Sequence, residues 1–232
     1  MSVSEADEDT DSQEIKVFEK DKPLTKILCM LCGLPVGKWE SLADVEEAID
    51  LAQKWDAPGP LSFIRSAITA PLFLEQPLRL YGIAARLGWE EEMRLPSTLT
   101  LSLDLYDERH REELDRIPSQ HLMKLLRLRR SRRDKLKSLL DGDMFLAGNS
   151  NPVCHGCDSE RDNRSWLDLK TRIFMEMDKS PSGDALCTLD FQQWPEVIEC
   201  LDAKCGCGES SYDKLHTLQN IKKCVDSLPF CI

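Results

Sequence analysis

The chain has 232 residues, of which 41% are apolar and 31% charged: ordinary globular usage, long enough for one large core or two small ones. No run of 18 apolar residues occurs, so no membrane-spanning helix is expected. The net charge of −11 argues against general nucleic-acid binding, because phosphate contacts need a basic footprint.

The opening Met1-Ser2-Val3-Ser4-Glu5 is neither basic nor apolar, and no secretory signal is expected. Glu5, Asp7, Glu8, Asp9, Asp11 and Glu14 follow with no base among them. Such a segment cannot bury enough apolar surface to offset its ordering entropy. Residues 1–14 therefore read as a disordered acidic tail. Ile15-Lys16-Val17-Phe18 is the one fair strand candidate. Leu24 to Cys32 forms an apolar helical run that holds Cys29 and Cys32 as buried thiols.

Ser41 with Asp44 resembles a capping box and opens a helix through Trp55, striped by Leu42, Val45, Ile49, Ala52 and Trp55. Pro58 and Pro60 end it and start another at Leu61. Pro71 and Pro77 bracket a linker. Pro77 suits a first helical turn and Gly88 the C-terminal cap of the helix carrying Leu78, Tyr81 and Ala85. Residues 90–103 read as a helix that Pro96 should break or kink. A long helix is predicted from Ser119 to Leu140. Three more follow: one capped by Ser165 and striped by Trp166, Leu169, Ile173, Phe174 and Met177, one opened by Asp190 with Gln193 and striped by Trp194, Val197, Ile198 and Leu201, and one from Tyr212 through Leu215, Leu218, Ile221 and Val225 to Leu228. The five tryptophans read as packing residues. The fold class is mainly α.

Ten cysteines without a secretory signal point to a reducing compartment, where thiols stay free or bind metal, so an intracellular protein, cytoplasmic or nuclear, is expected. Eight of them lie after residue 150. Cys154-His155-Gly156-Cys157 is a C-x-x-C in a Gly/Asn/Pro loop, and Cys205-Gly206-Cys207-Gly208 is a C-x-C in a Gly-rich loop. Paired cysteines in turns bring sulfurs to one ion, and four thiolates close a tetrahedral zinc site. Cys154, Cys157, Cys205 and Cys207 are the candidate ligands of a structural Zn2+, with His155 and Cys200 in reserve. The alternative is unpaired or buried thiols. Redox C-x-x-C chemistry needs a helix N-terminus after a strand, and these flanks are loop-like.

Lys124, Arg127, Arg129, Arg130, Arg132, Arg133, Lys135 and Lys137 make a basic run within 124–137. It reads as a solvated helix face, with Leu125, Leu126, Leu136, Leu139 and Leu140 on the buried side. The alternative is a nucleic-acid-associated or transcription-linked factor, which the absence of interleaved aromatics disfavours. Gly33-Leu34-Pro35-Val36-Gly37-Lys38-Trp39 lacks the spacing and the Ser/Thr of a phosphate loop, and the four histidines are scattered. No catalytic activity is expected.

Ile15 to Lys20, Leu24 to Cys32, and Ser41-Leu42-Ala43-Asp44-Val45 through Ala52-Gln53-Lys54-Trp55-Asp56 resemble the second half of a BTB (POZ) domain, whose closing helix carries an A-x-K-[YW] signature. Pro77-Leu78-Arg79-Leu80-Tyr81 through Tyr106, Pro118 through Asp134, and the Cys-rich tail with Tyr212-Asp213-Lys214-Leu215 are similar to the extension that follows fungal BTB domains. The first half of such a domain has no counterpart before residue 15, and Pro96 replaces a helix former. The resemblance implies a protein-binding adaptor: a partial BTB-like region at 15–70, a helical extension at 71–147 and a Cys-rich helical module at 148–232. Because family members dimerise mainly through the half without a counterpart, it also implies weakened self-association. Deleting residues 1–14 is expected to leave the thermal unfolding midpoint unchanged; a clear drop by calorimetry would show that the tail packs.

Overall fold

The structure, a computed structural model, describes residues 16–142, 144–145, 153–154 and 156–232; the predicted tail at 1–14 lies outside them. The described chain is mainly helical, with eleven α-helices, four short 3-10 helices and no strand. No described helix is long and apolar enough to cross a membrane. The chain divides into two compact units, residues 1–64 and 65–232.

The expected strand does not form over residues 16–18, the described part of that segment. A strand needs a neighbour for its N–H and C=O groups. The described residues pair only in two isolated bridges much further on, Val153–Glu160 and Lys204–Ser210.

In the first unit α1 (Asp21–Leu31) packs against α2 (Leu42–Lys54). The Ser41 hydroxyl accepts the Asp44 N–H at 3.2 Å, giving α2 the predicted cap. Val45, Ala48, Ile49 and Ala52 supply its buried stripe. Both helices end in left-handed turns. Gly33 (φ +67°) lets the Leu34 N–H reach the Cys29 carbonyl at 2.8 Å, and Asp56 (φ +48°) lets Ala57 reach Ala52 at 2.8 Å. Cys29 is only half-buried and Cys32 is exposed, against the expectation of two buried thiols. The buried face of α1 is carried by Pro23 and Ile27, so positions 28, 31 and 32 turn outward.

Helix α3 (Pro58–Ala67) starts at Pro58 rather than Leu61, because first-turn N–H groups have no intrahelical acceptor and prolines there cost no bond. In the second unit α4 (Pro71–Leu74) puts a helical turn where a linker was expected. Helix α5 (Pro77–Arg86) begins on Pro77 and ends, as predicted, at Gly88 (φ +67°). It buries seven of its ten residues, as a central helix does. The Tyr81 hydroxyl donates to the His121 carbonyl at 2.8 Å. Burial pushes that phenol up to about 12.

Helix α6 (Glu90–Leu99) runs through Pro96 instead of breaking. Only the bond that residue 96 would donate is lost, and the Thr100 N–H still reaches the Pro96 carbonyl. A 3-10 turn at Thr100–Ser102 and a short α7 (Arg111–Asp115) lead to α8 (Ser119–Leu140), whose bounds match the prediction.

The buried stripe of α8 is His121, Leu125, Leu128, Arg129, Arg132, Leu136 and Leu140. The expectation of a solvated basic face is thus corrected at its centre, where Arg129 and Arg132 are 7% and 5% exposed. Arg129 donates to the carbonyls of Thr100, Leu103 and Lys179, each at 2.8 Å. Arg132 donates to Pro181 at 2.6 Å, Ser182 at 2.9 Å and Pro229. The neighbouring Arg133 lies over the Phe174 ring and pairs with Asp178 and Asp134.

Helix α9 (Arg164–Lys179) starts two residues earlier than a Ser165 cap would place it: Asn163 holds the cap position, and Asp162 accepts the Arg164 N–H at 2.9 Å. Helix α10 (Pro195–Asp202) opens on Pro195; Asp190–Gln193 is a separate 3-10 turn rather than its start. Helix α11 (Lys214–Asp226) is capped by Asp213, which accepts the His216 N–H at 2.6 Å, and Leu215 faces out instead of joining the stripe. These helices gather around Trp166, which is fully buried against Phe145 and Tyr212.

Replacing Arg132 by Met would leave three carbonyls without their charged donor. A loss of about 2–4 kcal/mol in urea unfolding is expected. A change under about 0.5 kcal/mol, the range of ordinary surface substitutions, would show that these bonds contribute nothing net.

Candidate metal centre

Two loops face each other at one end of the Trp166 core. The first precedes α9, and the second joins α10 to α11. Trp166, in the first turn of α9, stacks on Tyr212 just before α11, with centroids 5.7 Å apart. Because both rings are buried, the stack holds the two loops side by side.

The loops share one design. In the first, the Cys154 N–H donates to Ser159 O at 2.9 Å and the Asp158 N–H returns to Cys154 O at 2.8 Å. In the second, the Cys205 N–H donates to Glu209 O at 2.8 Å and the Gly208 N–H returns to Cys205 O at 2.8 Å. Each loop is closed by one antiparallel bridge, Val153–Glu160 or Lys204–Ser210. The residue after the second cysteine is left-handed in both, Asp158 at φ +55° and Gly208 at φ +90°. Glycine takes that conformation without steric cost, and aspartate tolerates it better than most. Each turn thereby presents two sulfurs to the same side.

The sequence-predicted set comes together. The sulfurs of Cys154, Cys157, Cys205 and Cys207 all lie within 4.8 Å of one another. Cys154 and Cys207 are 3.6 Å apart and Cys157 and Cys205 3.5 Å, so each close pair bridges the two loops. A tetrahedron with zinc–sulfur bonds near 2.3 Å has edges of about 3.8 Å. The four sulfurs fit such an ion, and a disulfide at about 2.05 Å is not formed. Cys154 is fully buried, while Cys157 and Cys207 are exposed.

The thiols are not alike. The Cys207 backbone N–H, the Ser159 hydroxyl and the neighbouring sulfurs draw Cys205 down to about 6. The Ser159 hydroxyl, 2.9 Å from its sulfur, and the Ser159 N–H hold Cys157 below the usual thiol range. The Glu209 N–H pulls Cys207 the same way, but competition from Cys154 and Cys157 wins and lifts it to about 11. Negative charge is therefore favoured on Cys205 over Cys207, and an incoming cation must displace the thiol protons that remain.

Of the reserve ligands, Cys200 sits in the core on α10, where burial pushes its thiol up to about 12, and it is not part of the cluster. His155 lies outside the described residues. Sequence reading missed three residues that contact the cluster: Ser159, Glu209 and Arg161. Only their closeness in sequence to the cysteines signalled them. No family model, curated protein or solved structure matches this chain.

A thiophilic cation such as cadmium should protect the exposed pair of the cluster, Cys157 and Cys207, from alkylation, whereas the exposed Cys32 and Cys187 react with or without it. Peptide mass spectrometry reads the outcome. Equal labelling of Cys157 and Cys207 with and without cadmium would show that the cluster does not hold the ion.

Proposed function

We propose that this chain is a non-enzymatic, intracellular protein-binding adaptor whose larger unit is stapled by one structural Zn2+ on Cys154, Cys157, Cys205 and Cys207. The carrying observation is the closure of four sulfurs by two matching loops some fifty residues apart in sequence. Protein sulfurs fill all four positions of a tetrahedral ion, which suits a structural role, since a catalytic zinc keeps one position for water or substrate. Binding free energy at such a site is folding free energy, so the ion holds α9, α10 and α11 in place through their loops.

The adaptor part rests on the resemblance to the second half of a BTB domain and its extension. It is supported by the apolar side chains that the first unit exposes, Phe18, Leu28, Leu31 and Leu34. The basic run of α8 gives little support to nucleic-acid binding. Arg129 and Arg132 are consumed by backbone carbonyls, Lys124 pairs with Glu90, and Arg133 with Asp134 and Asp178.

The purified chain should carry about one zinc per molecule by elemental analysis, and a strong chelator should lower its unfolding midpoint. In gel-shift assays at low salt it should leave duplex DNA unshifted. Absence of zinc with no effect of the chelator removes the staple. A DNA shift that weakens steeply with salt replaces the adaptor reading with a nucleic-acid one.

A further inference from the structure

The geometry points to Arg161 as the positioning residue of this centre, one that offsets part of its charge and joins its two loops; the inference rests on the zinc reading above. Four thiolates and one Zn2+ carry a net charge of −2. Charge taken out of water is costly unless a counter-charge lies close. The demand is greatest at Cys154, the fully buried sulfur.

Arg161 meets it there. Its side chain is only 6% exposed, and Nη2 stands 3.3 Å from Cys154 Sγ. Nη1 donates to the Ser211 carbonyl at 3.2 Å and lies 3.4 Å from that of Ser210. Arg161 leaves the first loop, and Ser210 and Ser211 leave the second. One planar guanidinium therefore spans both loops while facing a ligand sulfur, a geometry that a fork of five donors allows.

The Glu209 carboxylate sharpens the need. Its Oε2 lies 3.3 Å from Cys154 Sγ and 3.7 Å from Arg161 Nη2. A thiol can donate to that oxygen, but a metal-bound thiolate cannot. In the loaded centre the acid and the sulfur are like charges, and Arg161 is the cation beside both. Hydrogen-bonded partners of this kind hold ligands in position, and their loss commonly weakens metal binding about 10–100-fold.

The test uses the full chain, with zinc affinity measured by competition against a chromophoric chelator and the metal-free unfolding midpoint measured alongside. Arg161→Gln should bind zinc about 10–100-fold more weakly than wild type and should lower the zinc-loaded midpoint further than the metal-free one, which loses only the bonds to the Ser210 and Ser211 carbonyls. Arg161→Lys keeps the charge but not the fork and should recover part of the affinity. Wild-type affinity in Arg161→Gln overturns the inference, and so does an Arg161→Lys variant as weak as Arg161→Gln. A metal-free midpoint that falls as far as the zinc-loaded one gives Arg161 only a structural role and also overturns it. Wild-type protein that takes up no zinc overturns the zinc reading itself, a result distinct from zinc-binding variants that match wild type.

Discussion

The second unit depends on two positive charges buried in the middle of its longest helix. Arg129 and Arg132 occupy positions that Leu would be expected to fill, and among the described residues no carboxylate lies within salt-bridge distance of either. Burial disfavours both cations, and nearby acids offset this only in part. A guanidinium stays charged even so, so its charge must be met by dipoles. Six backbone carbonyls meet it, from the 3-10 turn after α6, from Leu103, from the end of α9 and the turn beyond it, and from Pro229. These groups lie between 26 and 97 residues away in sequence. An apolar stripe would hold α8 against its neighbours without specifying which loop carbonyls face it; directional donors specify them.

The candidate metal centre stands at the far end of the same chain of constraints. Arg129 holds the C-terminal end of α9 through the Lys179 carbonyl. The N-terminal end of α9 carries Trp166, whose stack on Tyr212 sets the approach to α11. The two cysteine loops hang from these fixed ends, one before α9 and one after α10. Their sulfurs meet because the helices beneath them are already in register. The left-handed residues Asp158 and Gly208 then turn each pair of sulfurs to one side.

The site is asymmetric in chemistry as well as burial. Its inner corner, Cys154, is dry and flanked by Arg161 and Glu209, while Cys157 and Cys207 face solvent. A cation can therefore arrive through the outer pair, whereas the inner sulfur fixes the centre to the core. Cys205 and Cys207 also differ: four thiols crowd into one small volume, and the Cys207 N–H and the Ser159 hydroxyl favour negative charge on Cys205 first.

Local chemistry in the sequence determined a good deal by itself. The Ser41 cap, Pro77 at a helix start, Gly88 at a helix end and the full span of α8 all follow from interactions within a few residues. The four cysteines were also legible, because short-spaced pairs in turns point sulfurs together whatever surrounds them. Tertiary structure decided the rest. Helix α6 continues through Pro96 with one backbone bond lost, and the strand at residues 16–18 failed for want of a pairing partner. The basic run looked solvated because charge composition says nothing about which carbonyls are near. The spacing Leu125–Arg129–Arg132–Leu136–Leu140 already placed both arginines on the buried stripe, but only the folded chain supplied acceptors that let charges stay there. Arg161 was hidden for the same reason, since its partners come from a loop about fifty residues away and a sequence records no distances across space.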